Sequence, residues 1–217
     1  MVKAILWDND GVLVDTETLF FEATRAAFSS AGLVLTKDIW GAQYLSEGKM
    51  SKEIALSLGG APDRVEPLID ERNSRYRLIL RQPPQLRPLV IETLTALFGK
   101  VKMALVTDCR REQLKLMHGT SNVLSFFDAI VTGDESSHSK PHPAPYLAVM
   151  NALQVDPRDC IAVEDTPKGL ASARAAGISC IVVPNELTQM LQFPGALSIE
   201  QDVSGVLKHL GDNCIFS

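Results

Sequence analysis

Asp8 and Asp10 stand one residue apart at the end of the apolar run Val2 to Trp7, and Gly11 follows them. A hydrophobic strand that runs into carboxylates delivers them to its carboxyl end, where open α/β sheets place their ligand crevices. The two side chains are expected to leave that exit toward different sides and to hold different jobs, one attacking while the other moves a proton. A calcium loop is the plainer alternative, since Asp8, Asp10, Gly11 and Glu17 match positions three, five, six and twelve of an EF-hand. Position one would then be Leu6, which has no oxygen to give, and the short Val/Ile/Leu-rich segment before it is no amphipathic helix. The calcium reading fails on both counts.

Three further apolar runs end in polar residues. Val106 leads to Thr107 and Asp108, Val163 leads to Glu164 and Asp165, and Ala129–Thr132 leads through Gly133 to a loop containing Lys140 and Pro141. In a parallel sheet these ends share one edge, so Asp8, Asp10, Thr107, Lys140, Glu164 and Asp165 can converge although they are distant in sequence. Each has an ordinary alternative: Thr107 or Asp108 as a helix N-cap, Asp165 as the cap before Pro167, Lys140 as a surface lysine. Four strand ends that all carry such groups outweigh those alternatives taken singly.

The chemistry they suit is phosphoryl transfer. A carboxylate attacking a phosphate dianion faces like-charge repulsion, so a divalent metal and a lysine must neutralise both partners. Magnesium prefers one or two carboxylates plus substrate oxygens, which Asp8, Asp165 and the adjacent Glu164 can supply. Lys140 is the cation, and Thr107 can donate to a nonbridging oxygen without adding charge. Asp8 would form an aspartyl-phosphate. Asp10 would protonate the leaving group and then activate water.

The elements that must position these groups fall into two stretches. From Thr16 to Leu80 there is no repeated strand pattern, and helices are expected at Thr18–Ala31, Ile39–Tyr44, Lys49–Leu58 and Asp63–Arg81, punctuated by Gly32, Gly59, Gly60 and Pro62. The proline-rich stretch Gln82 to Pro88 cannot continue a helix and makes a linker. From Leu89 onward helices alternate with short apolar strands at Val101–Thr107, Ala129–Thr132, Cys160–Glu164 and Cys180–Val183, with helices near Leu89–Phe98, from Arg110, at Ala144–Leu153 and at Lys168–Ala176. A weak helix is read around Ile199–Leu210. Short strands separated by helices mean parallel pairing with right-handed crossovers, hence an α/β fold with a doubly wound parallel sheet.

Composition narrows the classes. The chain has 217 residues, with 26 Asp and Glu against 21 Lys and Arg and a net charge of −5, which argues against a broad footprint for nucleic acid. The clusters Arg72/Arg75/Arg77/Arg81 and Arg110/Arg111/Lys115 are read as solvated helix faces. Cys109, Cys160, Cys180 and Cys214 are scattered without a C-x-x-C pair, and Cys160 and Cys180 read as small core residues. No apolar stretch is long enough for a membrane span, and the one at the start is too short for a secretory signal. A cytoplasmic location is therefore expected, with no membrane partner; the oligomeric state is open, and a monomer is compatible.

The combination resembles the haloacid dehalogenase superfamily, in its subgroup of phosphatases and phosphomutases related to β-phosphoglucomutase. That family's D-x-D-G-x-x-x-D is matched by Asp8 through Asp15, its strand ending in Ser or Thr by Thr107, its K-P-x-P by Lys140-Pro141-His142-Pro143, and its closing acidic pair by Glu164-Asp165. The resemblance implies Asp8 as nucleophile, Asp10 as acid/base, and Mg2+ held by Asp8, the backbone carbonyl of Asp10 and the pair Glu164 and Asp165. It implies phosphate contacts from Thr107 and Lys140. It further implies a Rossmann-like core of residues 1–15 and 87–217 and an inserted all-helical, mobile cap of residues 16–86. Asn9 departs from the pattern, being polar where the family carries an apolar residue or cysteine. His142 is read as a variable loop residue.

Asp10 separates this chain from the dehalogenases and phosphonate hydrolases of that superfamily, which lack it. A phosphatase acting on a small phosphorylated metabolite, such as a sugar phosphate, is the expected activity. The nearest rival is a phosphosugar mutase, but the mutase cap stretch L-K-G-x-S-R meets only Leu45 to Lys52, a poor match. A non-catalytic binding protein on the same fold would have lost Asp8 or Asp10, and both are present. Specificity is expected from residues such as Glu47, Lys49, Lys52 and Arg75.

Overall fold

In a computed structural model that describes residues 2–210, the chain builds one six-stranded sheet; Met1 and residues 211–217, with Cys214 and the end of the expected core, lie outside the described residues. The strands are β1 (Ala4–Trp7), β2 (Lys102–Val106), β3 (Ala129–Val131), β4 (Cys160–Glu164), β5 (Ser179–Val182) and β6 (Ser198–Ile199). Their order is β3-β2-β1-β4-β5-β6, and every pair is parallel. Between β1 and β2 comes an inserted helical segment: α1 (Glu17–Ser30), α2 (Lys37–Ile39) running into a π-helical turn Trp40–Ser46, α3 (Ser51–Ser57) and α4 (Pro62–Ile79).

β1 is central and apolar throughout, because both its faces are covered. Ile5 and Trp7 join one core with Leu94 of α5 (Val90–Leu97) and Leu114 of α6 (Arg111–His118). Ala4 and Leu6 join the other with Val149 of α7 (Ala144–Leu153) and Leu170 of α8 (Pro167–Ala175). The strand alternation of period two thus feeds two cores, as a doubly wound sheet requires.

Phe21, Phe28, Trp40, Leu45, Ile54 and Leu68 give the inserted helices an apolar core of their own. The expected helix Ile39–Tyr44 is corrected in kind: Glu47 N–H donates to Ala42 O at 3.1 Å, a spacing of five residues, and apolar periodicity does not separate such a turn from an α-helix. The linker Gln82–Pro88 returns beside the first loop, where Arg87 donates to the carbonyls of Gly11, Val183 and Pro184.

The tail needs a further correction. Leu197 N–H donates to Cys180 O at 2.7 Å and Glu200 N–H to Val182 O at 2.8 Å, so Ser198–Ile199 adds a strand to the sheet where a helix is expected to begin. Beyond it, Val203–His209 is a 3-10 helix capped by the Asp202 carboxylate. Cys160 and Cys180 are buried core residues. Among the described residues no helix is long and apolar enough to cross a membrane.

Candidate active site

The carboxyl edge of the sheet gathers the groups that the strand ends carry. Asp8 follows β1, Thr107 follows β2, Glu164 ends β4, Asp165 follows it, and the loop after β3 brings in Lys140. Together with Asp10 they line one cavity of about 560 Å³. Asp8 and Asp10 face this same space, which corrects the expectation that they part to different sides: residues two apart on an extended run share a face.

Lys140 is 5% exposed and is no surface lysine. Its Nζ donates to Asp8 Oδ1 at 2.7 Å, to Glu164 Oε1 at 2.6 Å and to Val106 O at 2.8 Å. Burial opposes its charge, but the carboxylates of Asp8 and Glu164 outweigh that and raise its pKa. For Asp8 the balance runs the other way. Burial pushes its carboxyl well above the ordinary range, Lys140 pulls it down, and Glu164 and Asp10 add to the rise. Asp165 is likewise raised by burial and by the charges of Asp8, Glu17 and Glu164.

A cation is the partner that this arrangement suits. Asp8, Glu164 and Asp165 each offer one oxygen within 4.8 Å of the others. Glu164 Oε2 and Asp165 Oδ1 are buried without a hydrogen-bond partner, a costly state for carboxylate oxygens unless a positive charge satisfies them. An all-oxygen set of carboxylates suits a hard divalent ion. The Asp10 side chain is not part of this set. Thr16 Oγ1 donates to its Oδ1 at 2.6 Å and Thr107 Oγ1 to its Oδ2 at 2.9 Å.

Two glycines let the backbone come this close. Gly11 has φ +81°, and a Cβ there would overlap the carboxylate of Asp165. A Cβ on Gly169 would overlap that of Glu164. The cap of α8 is Thr166, whose Oγ1 accepts from Gly169 N–H at 3.1 Å, so Asp165 is free of the capping role that its position before Pro167 suggests.

Several participants carry no sequence signal of their own. Tyr146 donates its hydroxyl to Glu164 Oε1, and Asn185 Nδ2 donates to Asp165 Oδ2, both at 2.6 Å. Thr16 is equally unannounced. Lys168 is half-buried, with its ammonium 3.9 Å from the centre of the Tyr44 ring, and lines the cavity. Glu17, reached by Trp40 Nε1 at 3.2 Å, is pushed by burial up to about 7, against the pull of Lys168.

Arg72 corrects the reading of its cluster as a solvated face. It is 8% exposed, lies over the Phe20 ring, and donates to Ser51 Oγ and Asn73 Oδ1. Arg75 does stand at the surface, paired with Glu71. Of the four residues expected to set specificity, Lys49 lines the cavity, whereas Glu47, Lys52 and Arg75 do not. His142 is exposed, stacks on His138, and stays outside the lining.

An open parallel sheet with a buried lysine among carboxylates at its carboxyl edge defines an α/β protein whose polar site lies where such sheets place their ligand crevices. The chain belongs to the haloacid dehalogenase-like hydrolases: the model of that family matches residues 5–183. It is 33% identical over 192 residues to a phosphorylated carbohydrates phosphatase of Thermotoga maritima, covering 83% of this chain and 84% of that protein. Over 201 residues it is 30% identical to hexitol phosphatase B of Escherichia coli, covering 84% of each. The structure of CbbY from Rhodobacter sphaeroides, in complex with xylulose-1,5-bisphosphate, superposes with a TM-score of 0.76 at 25% identity, covering 94% of this chain and 96% of that one. Within its superfamily the chain is a phosphoric monoester hydrolase.

Proposed function

We propose that the protein is a Mg2+-dependent phosphatase that releases phosphate from a small phosphorylated metabolite of the sugar-phosphate kind, through an aspartyl-phosphate on Asp8. The observation that carries this reading is the cavity in which Asp8, tied through Oδ1 to Lys140, faces Asp10 beside the unpartnered oxygens of Glu164 and Asp165. The names of the relatives, which act on phosphorylated carbohydrates and hexitols, support the substrate class.

Asp8, Glu164 and Asp165, with the Asp10 carbonyl, would hold the ion. Bound Mg2+ supplies charge neutralisation that lets an anionic nucleophile approach an anionic phosphate. The Asp8 carboxylate attacks phosphorus and the ester P–O bond breaks, Asp10 giving its proton to the departing oxygen. Asp10 then takes a proton from the water that attacks the aspartyl-phosphate, and the Asp8–phosphorus link breaks. Lys140 holds Asp8 in place and, with Thr107, stabilises the charge of the transferring group. Residues 16–86 act as the cap that closes over the site and excludes bulk water, with residues 1–15 and 87–217 as the core.

The test is Asp8→Asn, which keeps the shape but removes the nucleophilic charge. Expected are loss of phosphate release from sugar phosphates in Mg2+, loss of acid-stable phosphate label on the protein, and an unchanged circular dichroism spectrum. Label still found on residue 8 in the variant would remove Asp8 as the nucleophile.

A further inference from the structure

Two polar side chains lie behind Asp10 and have no direct part in phosphoryl transfer. Asn9 is wholly buried and His118, the last residue of α6, is 3% exposed; neither lines the cavity. His118 Nε2 is 2.7 Å from Asn9 Oδ1, and its Nδ1 is 3.3 Å from Ser121 Oγ. Asn9 Nδ2 lies 3.3 Å from Asp10 Oδ2 and 3.2 Å from Met117 Sδ.

The chemistry fixes which way the amide points. Its edge toward Asp10 meets a carboxylate and a thioether, both acceptors, so that edge is the NH2. The edge toward His118 is then the carbonyl, and Nε2 must carry the proton. Burial holds the imidazole below its ordinary value, the charge of Asp10 opposing, which leaves a neutral ring with that single proton. The result is a directed relay from His118 through Asn9 to Asp10 Oδ2.

We propose that His118 and Asn9 are positioning residues for the proton-transfer step: the imidazole fixes the Asn9 amide, and the amide holds Asp10 Oδ2 in line with the reacting oxygen. Thr107 alone is ill placed for this duty, because its hydroxyl serves the same Oδ2 and is also the donor assigned to the phosphoryl group. When Thr107 turns to the phosphate, Asn9 remains on Oδ2 and Thr16 on Oδ1. The inference rests on Asp10 as the acid/base.

The test uses the full chain with Mg2+ and compares kcat/KM for an alkyl phosphate, whose leaving group needs a proton, with that for p-nitrophenyl phosphate, whose leaving group does not. His118→Leu and Asn9→Leu should lower the alkyl value about ten-fold, part of the ~10²–10⁴ of general acid–base catalysis, and leave the p-nitrophenyl value of kcat/KM within about two-fold. His118→Gln, whose amide N–H can reach Asn9, should recover most of the loss. His118→Phe replaces the leucine variant if that one does not fold. An equal loss on both substrates, no loss on the alkyl ester, or a glutamine variant no better than leucine would overturn the inference. Asp10→Asn, run alongside, separates the two failures: if it too shows no leaving-group dependence, the assignment of Asp10 falls; if it does and His118→Leu does not, only the positioning role falls.

Discussion

Lys140 shows how one side chain sets the tasks of its neighbours. Its ammonium engages Asp8 through Oδ1 and Glu164 through Oε1, while Glu164 Oε2 stays buried without a hydrogen-bond partner. Glu17 is the opposite case, a buried carboxyl whose main polar contact is a neutral indole and whose pKa is raised from 4.5 to about 7. That rise weakens the fold at high pH. Below about 4.5 the group is protonated folded or unfolded and nothing is lost; from there to about 7 the unfolded chain sheds a proton that the folded one keeps, so stability falls as pH rises. At about 1.4 kcal/mol per unit the full effect, reached above pH ~7, is on the order of 3 kcal/mol. Glu17→Gln removes the titration and keeps the oxygen that faces Trp40. Thermal melts at about pH 5 and about pH 8 should show the variant gaining on the parent protein at the higher pH. Parallel profiles would mean that Glu17 is ionised in the fold.

At the scale of elements the decisive contact is α8 against the end of β4. Glycine to alanine inside a helix ordinarily stabilises it by roughly 1 kcal/mol. At Gly169 the sign should reverse, because the added methyl would overlap the Glu164 carboxylate and push it off Lys140 and Tyr146, at a cost of about 1–3 kcal/mol as in other overpacked sites. Gly169→Ala is expected to melt lower than the parent and to show a smaller upward shift of Tm on adding Mg2+; a higher melting point with the full Mg2+ shift would refute the close seating of the helix. The sequence displays this glycine but not the reason for it. Strands β1, β2, β4 and β5 are legible because strands buried on both faces are continuous apolar runs, and their polar ends announce Asp8, Thr107, Glu164 and Asp165. Asn185, Tyr146 and Thr16 are not, since each is an ordinary residue whose role depends on which loop or helix the fold sets beside a carboxylate. β6 escapes the sequence because two residues, Ser198 and Ile199, are too few to show a period. Arg72 escapes it because four neighbouring arginines look like one surface, while the α4 helix turns that side chain inward and leaves Arg75 outside.

In the whole molecule the cavity lies between two sets of elements. Strand ends and the loop after β3 supply Asp8, Asp10, Lys140 and the acidic pair, while α1, α4, the π-helical turn and the loop after that turn supply Phe20, Tyr44, Lys49, Arg72 and Tyr76 to the same cavity. Its volume of about 560 Å³ fits one small metabolite. Whether the phosphoryl group ends on water or returns to a sugar depends on which of the two reaches the aspartyl-phosphate first. A mutase must keep water from its aspartyl-phosphate while a bound intermediate turns over, and that needs contacts from the helices to the sugar. The stretch that would carry them, Leu45 to Lys52, does line the cavity through Lys49, Met50 and Ser51, but it does not reproduce the mutase cap motif, and Lys49 is paired with Glu47. An Asp10 able to activate a sugar hydroxyl activates water as readily, so hydrolysis is the expected outcome. Incubation with β-glucose 1-phosphate, Mg2+ and a trace of the 1,6-bisphosphate should release inorganic phosphate in step with loss of the sugar phosphate. Rapid glucose 6-phosphate with little free phosphate would mean that the helices hold the intermediate in place, and the enzyme would be a mutase.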